Sequence, residues 1–372
     1  MVFDGTRAEG KMATISIPEP VSLVLSNVLS ARFGLLALCL FVAAGCAERG
    51  SLQMAEPVSG ATVERVWAAK FRSDIQADRR GTPPRPTEVR YQAIDVSVPP
   101  THQLGQIEWP DGEPDAARHF VTLAQDPVSD LNAFARAVAR ADDSGLNETF
   151  VFVHGYNMRH GEAVYQVTQF THDFDVPTPK VLFSWPSAGL LVGYVHDRDS
   201  ALVARDELEE LLLALSSNGR RVMLVAHSMG TYLTMETLRQ MALKGIDVDG
   251  RINGVIFVAP DIDGDLFQDQ ARDIGQLPEP FVLMVAEQDI ALRASAWLTG
   301  FRPRLGAQTD RSVVGDLPVS VVDVSRLAAP NDNTHAIAIS SPTAIRALQE
   351  IAGATPPGDA EVPDLVVLGD GS

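Results

Sequence analysis

Along the middle of the chain the apolar residues gather into short unbroken runs, and polar residues fill the stretches between them. The runs are FVFVHG (150 to 155), KVLFSW (180 to 185), RVMLVA (221 to 226), GVIFVA (254 to 259), FVLMVA (281 to 286) and VSVVDV (319 to 324). Nearly every position in them is apolar, which predicts strands covered on both faces; a strand with one wet face would alternate. Between them, residues 128 to 141, 161 to 174, 198 to 216 and 229 to 243 have helical period, with Gly245 as a stop signal. A last helix is predicted from Ser341, an N-cap residue, with Pro342 in its first turn. Strands alternating with helices from about residue 88 onward predict an α/β fold with a mostly parallel central sheet and helices on both faces. Ahead of them RYQAIDVSV and GQIEW read as antiparallel edge strands.

The ends of the chain read differently. After Arg32 the stretch FGLLALCLFVAAGC runs 13 residues before Cys46. That is short of the roughly 20 apolar residues that span a bilayer, but it has the length and small-residue ending of a signal-peptide core. A signal ending in small residues and then cysteine resembles the bacterial lipoprotein lipobox. The resemblance implies a signal peptide over 1–45 and a lipidated Cys46, hence a membrane-anchored lipoprotein facing the periplasm; a secretory signal leaving a soluble periplasmic protein and a weak membrane anchor are the alternatives. Residues 46–87 read as a tether and N-terminal edge, 88–353 as the α/β domain, and 354–372, rich in Pro, Gly and Asp, as a flexible tail.

Composition narrows the function. At 372 residues with 45% hydrophobic content the chain can bury a sizeable core. A formal charge of −18 without a Lys or Arg cluster excludes nucleic acid, and anionic lipid, as the main partner. Both cysteines, Cys39 and Cys46, lie in or beside that apolar stretch, so the rest of the chain holds no disulfide and no thiolate metal site.

The chemistry centres on A-H-S-M-G, residues 226 to 230. Ser228 is the one serine with Gly or Ala two residues before it and Gly two after, and it lies where a buried strand passes into a helix. That context marks a nucleophile elbow, in which small neighbours let strand and helix cross closely. An acyl-transfer serine needs donors for the developing oxyanion. The backbone N–H of Met229, at the positive end of the helix, is one candidate; that of Tyr156, after His154-Gly155, is the other, with His154 bracing its loop. The base is expected to be His335, after the last strand and before the final helix. His227, although adjacent to Ser228, is expected to point away. His102, His119, His160, His172 and His196 read as surface or structural residues without a suitably placed acid. For the acid, Asp289 gives the chain order Ser, Asp, His; Asp261 and Asp263, after the preceding strand, are alternatives. DIDGDLFQDQAR opens like a calcium loop but has Leu266 and Arg272 where such a loop needs Gly and Glu. No metal and no cofactor are expected.

Taken together, FVHGYN, FSWPS, GYVHDRDSA, AHSMG, APDID and QDIALRAS resemble a bacterial α/β-hydrolase family of unknown function, esterase- or lipase-like, over roughly residues 88 to 350. The resemblance implies a serine hydrolase with Ser228, Asp289 and His335 as its triad, acting on a small-molecule or lipid ester. Acyl transfer with the same triad, or a catalytically idle envelope binding protein, remain alternatives. Trp185, Tyr194, Trp297 and Phe301 are expected to form an apolar acyl pocket.

Overall fold

All six apolar runs are strands of one sheet. The structure is a computed structural model and describes residues 50–72, 88–328, 334–354 and 365–368. Its strands are β1 (Thr62–Phe71), β2 (Val89–Val98), β3 (Val121–Val128), β4 (Glu148–Val153), β5 (Lys180–Ser184), β6 (Arg221–His227), β7 (Ile252–Val258), β8 (Phe281–Val285), β9 (Ser320–Asp323) and β10 (Leu365–Val367). They lie in the order β10-β9-β8-β7-β6-β4-β5-β1-β2-β3. From β10 to β1 every pairing is parallel, and β2 and β3 close one side as antiparallel strands. The expected fold class, a mostly parallel sheet with helices on both faces, is the one found.

The helices are α1 (Leu131–Arg140), α2 (His160–Asp173), α3 (Tyr194–Val203), α4 (Arg205–Leu215), α5 (Met229–Leu243), α6 (Gly264–Ile274), α7 (Ile290–Leu298), α8 (Ile337–Ser340) and α9 (Pro342–Ala354). Because side chains alternate along a strand, each buried strand feeds two cores. Val151 and Val153 pack with Trp67, Phe134, Leu208 and Leu238, under α1, α4 and α5. Phe150 and Phe152 point the other way, to Phe170 of α2, with ring centroids 5.8 and 6.0 Å apart. Two-sided burial is why these strands read as continuous apolar runs.

Four expectations need correction. The segment read as a tether contains β1, an interior strand between β5 and β2; its polar start, TVERV, hides the buried Trp67, Ala68, Ala69 and Phe71 that follow. Residues 105–109 are turn and loop, and β3 supplies the outer antiparallel strand instead. The single helix expected over 198–216 is two, divided at Ala204, whose N–H bonds both Ser200 and Ala201 carbonyls. The tail contributes β10, with Leu365 paired to Val321. The proposed leader, with Cys39 and Cys46, lies outside the described residues.

Candidate active site

A parallel sheet carries the ends of its strands, and the loops that follow them, to one edge, where α/β folds place their chemistry. Ser228 follows β6, Tyr156 follows β4, Asp289 follows β8, and His335 follows β9 on the way to α8. The turn at Ser228 is tight: its backbone is at φ 52°, ψ −123°, a region that costs a residue with a side chain on the order of 1–3 kcal/mol. Surrounding bonds hold it there. The Ser228 N–H donates to Val258 O at 2.9 Å, and its carbonyl accepts from the N–H groups of Thr231 at 3.0 Å and Asp261 at 3.3 Å. The Thr231 hydroxyl donates to the same carbonyl at 2.6 Å. Gly230 explains the small-residue pattern, since a Cβ there would sit 2.4 Å from His154 O and 2.6 Å from Val153 O. The helix that starts behind the serine thus grazes the end of β4.

Asp289 is fully buried and caps α7, its Oδ1 accepting from Leu292 N at 2.9 Å. Its Oδ2 lies 2.7 Å from Nδ1 of His335. A carboxylate only accepts, so Nδ1 carries the proton and Nε2 is the basic nitrogen of His335. The His227 ring lies 4.9 Å from that of His335, centroid to centroid, with Nε2 3.3 Å from the His335 carbonyl oxygen. On its other side His227 Nδ1 abuts Gly155, where a Cβ would come within 2.8 Å. Burial, reinforced by neighbouring His335, pushes its pKa down to about 3. His227 is therefore a buried, neutral residue wedged between the loop at Gly155 and the loop that carries His335.

Gly155 also brings β4's loop to the serine: a Cβ on it would lie 3.1 Å from Ser228 Cβ. Tyr156 is the next residue, and Met229 opens α5 with its N–H among the unpaired donors of the helix start. His154 braces this loop. Its Nδ1–H donates to Gly155 O at 2.9 Å, its ring stacks on Trp185 at 5.1 Å, and Trp185 Nε1–H donates to His154 O at 2.8 Å. Burial lowers its pKa to about 4.

The alternative acids serve elsewhere. Asp261 forms a buried ion pair with Arg304 at 3.1 Å and accepts from the hydroxyls of Tyr194, at 3.0 Å, and Ser295. Asp263 caps α6 and pairs with Arg302 at 2.7 Å, which holds its carboxyl below the usual range. Four of the upstream histidines have acid neighbours, some local in sequence and two, Asp173 for His102 and Glu64 for His172, brought in from distant segments. His102 bridges Glu108 at 2.9 Å and Asp173 at 2.8 Å; His172 meets Glu64 at 3.1 Å, His196 meets Asp197 at 3.1 Å, and His119 approaches Asp111 at 3.8 Å. Glu64 lies near the start of β1, at the sheet edge opposite Ser228. His160 is held by Ser184 at 3.1 Å and Gln92 at 3.0 Å. The expected aromatic pocket divides: Trp185 and Tyr194 are buried, whereas Trp297 and Phe301 face solvent.

The Asp261–Arg304 network left no signal in the sequence pattern, because Arg304 comes from a loop more than forty residues on. Gly155 and Gly230 are the sequence signals of close backbone crossings, and the structure adds Gly306. Gly306 lies against the Ala259–Pro260 peptide, where a Cβ would come within 2.5 Å. Among the described residues no group of three or more His, Cys, Asp or Glu could hold a metal ion, and no helix is long and apolar enough to cross a membrane.

Solved structures similar to this chain include a predicted CIB-like hydrolase from Thermoplasma acidophilum, 14% identical over 80% of this chain and 100% of that one, with a TM-score of 0.36. Esterase B from Lactobacillus rhamnosis, inhibited by a tributyrin phosphonate, is 12% identical over 91% and 95%, with a TM-score of 0.38. Carboxyl esterase 2 from the mycorrhizal fungus Tuber melanosporum is 11% identical over 82% and 90%, again at 0.38. Likenesses this distant leave substrate open. No curated protein matches the chain. Residues 132–351, more than half of the 372, match the family described as "Alpha/beta hydrolase of unknown function (DUF900)"; the chain belongs to that α/β-hydrolase family.

Proposed function

We propose that this protein is a serine hydrolase that cleaves carboxylic esters through an acyl-enzyme on Ser228. One observation carries the reading: a strained serine at a strand-to-helix turn shares a sheet edge with a histidine whose Nδ1 is held 2.7 Å from a fully buried carboxylate. Ser228 Oγ attacks the acyl carbonyl while His335 Nε2 takes its proton. The N–H groups of Tyr156 and Met229 receive the developing oxyanion. Collapse of the tetrahedral intermediate expels the alcohol, which leaves with the proton from His335. Water then repeats the sequence and frees the acid. Asp289 keeps the imidazole in the tautomer this requires and steadies the imidazolium.

Fluorophosphonate capture and p-nitrophenyl ester turnover, each compared with Ser228→Ala, test the reading. Labelling confined to Ser228 and a fall in turnover of at least about a thousandfold are expected. Equal turnover by both proteins would leave the chain a binding protein on a hydrolase scaffold. We propose as well that Cys46 is lipidated and anchors the chain to the cell envelope; lipid-precursor labelling that persists in Cys46→Ala would rule this out.

A further inference from the structure

We propose, resting on the hydrolase reading, that the substrate is an ester with a long aliphatic chain, and that the chain lies on an exposed apolar rim formed by residues 190–195 and α7. The helix α7 is turned against its own polarity. Ser295 faces inward to the Asp261 carboxylate, whereas Ile290, Trp297 and the following Phe301 lie outward, 72%, 64% and 75% exposed. Positions 290, 294 and 297 of α7 share one helical face, which reads Ile, Ala, Trp, and Phe301 lies just past the end of the helix. In the turn ahead of α3, Leu191 and Val192 are 77% and 95% exposed. Val195 and Leu298 line one open cavity of about 410 Å³ together with Leu202, Tyr232 and the oppositely charged Arg198 and Asp199, so the two segments are neighbours. The stretch 188–195 carries no charge and 290–301 carries only Arg293.

The rim is continuous with the reaction centre on both sides. Ile290 directly follows Asp289, and its N–H lies 3.5 Å from the hydroxyl of Thr334, the neighbour of His335. On the other side the Tyr156 hydroxyl donates to the carbonyls of Leu190, at 3.2 Å, and Leu191. The residue proposed to supply an oxyanion donor therefore also ties down the apolar turn. Contiguous apolar surface exposed to water marks a binding face, and this one starts where an acyl or alkoxy chain would leave the ester carbonyl. An aliphatic chain is the occupant that its neutrality and continuity with the site fit. Each methylene moved from water onto such a surface is worth up to about fourfold in kcat/KM, and about twofold when one side stays wet.

The test uses the full chain and p-nitrophenyl esters from acetate to dodecanoate, below their aggregation limits. The ratio of kcat/KM for decanoate over butyrate is expected to be at least about tenfold in the unaltered protein, and to fall at least about fivefold in Leu191→Ser/Val192→Ser and in Trp297→Ser. All three side chains are exposed, so folding is expected to survive, and an unchanged melting temperature checks that. A ratio at or below one, or one that the substitutions leave unchanged, overturns the proposal while Ser228-dependent turnover of butyrate stands. If no ester is turned over in a Ser228-dependent way, the hydrolase reading and this proposal fall together. A ratio that changes only with protein concentration would assign the rim to a second copy of the chain instead.

Discussion

At the scale of single residues, the site separates look-alike side chains by what each one touches. Two histidines lie within 5 Å of one another, yet only His335 has its Nδ1 on a carboxylate, while His227 is buried, neutral and bonded to a backbone carbonyl. His335→Ala is expected to reduce ester turnover to background, a loss on the order of ten-thousandfold. His227→Ala should retain a measurable fraction, roughly a tenth to a hundredth, since it removes only a support of the His335 loop. Activity that survives the first change and vanishes with the second would reverse the assignment. The acids separate in the same way. Asp289→Asn should cost turnover roughly ten-thousandfold with a well-folded protein. Asp261→Asn leaves Arg304 buried without its partner and should instead lower stability by about 3–5 kcal/mol, read as a shift of the urea midpoint with kcat retained in the folded fraction.

At the scale of elements, the chemistry depends on strands meeting helices closely and on a sheet with no missing member. The six central runs were legible because burial on both faces removes the polar alternation a strand otherwise shows. β1 was not legible: its first residues are exposed and charged, and the partner that makes it an interior strand, β5, is distant in sequence. Yet Val66, Ala68 and Ala69 are fully buried. A chain beginning at residue 88 would leave the facing edges of β5 and β2 unpaired, and bare edges aggregate. Such a fragment is expected in the insoluble fraction, while one beginning at residue 47 is soluble and takes up fluorophosphonate. A soluble, labelled fragment from residue 88 would show that β1 is dispensable.

At the scale of the whole molecule, several histidines are buried in neutral form and so link folding to pH. Burial lowers the pKa of His154 to about 4 and those of His160 and His227 to about 3, whereas an exposed histidine titrates near 6.5. Below about pH 6.5 the unfolded chain binds protons that the folded chain refuses, so stability falls as pH falls from there toward 4. His102 acts in the opposite direction: burial disfavours its charge, but the hydrogen bonds to Asp173 and Glu108 win and its pKa is raised. Near pH 5 His102 is protonated in both states, so the three neutral rings set the balance and about three protons are taken up on unfolding. The melting temperature should therefore be clearly lower at pH 5 than at pH 7.5, and equal values would contradict neutral burial of the three rings.

By itself the sequence determined the six central strands, most of the helices between them, the elbow at Ser228 and the strand ends after which Tyr156, Asp289 and His335 emerge, because hydrophobic period and small-residue spacing are local properties. Only the tertiary structure distinguishes Asp289 from Asp261, since both follow adjacent strands and differ in which side chain, His335 or Arg304, the fold lays beside them. It also decided which aromatics are core and which are surface: Trp185 is buried against His154, whereas Trp297 is turned outward because Ser295 on the same helix answers a buried carboxylate. Pairings between segments far apart in the chain leave no mark on local pattern, and these are the pairings that give identical residue types different work.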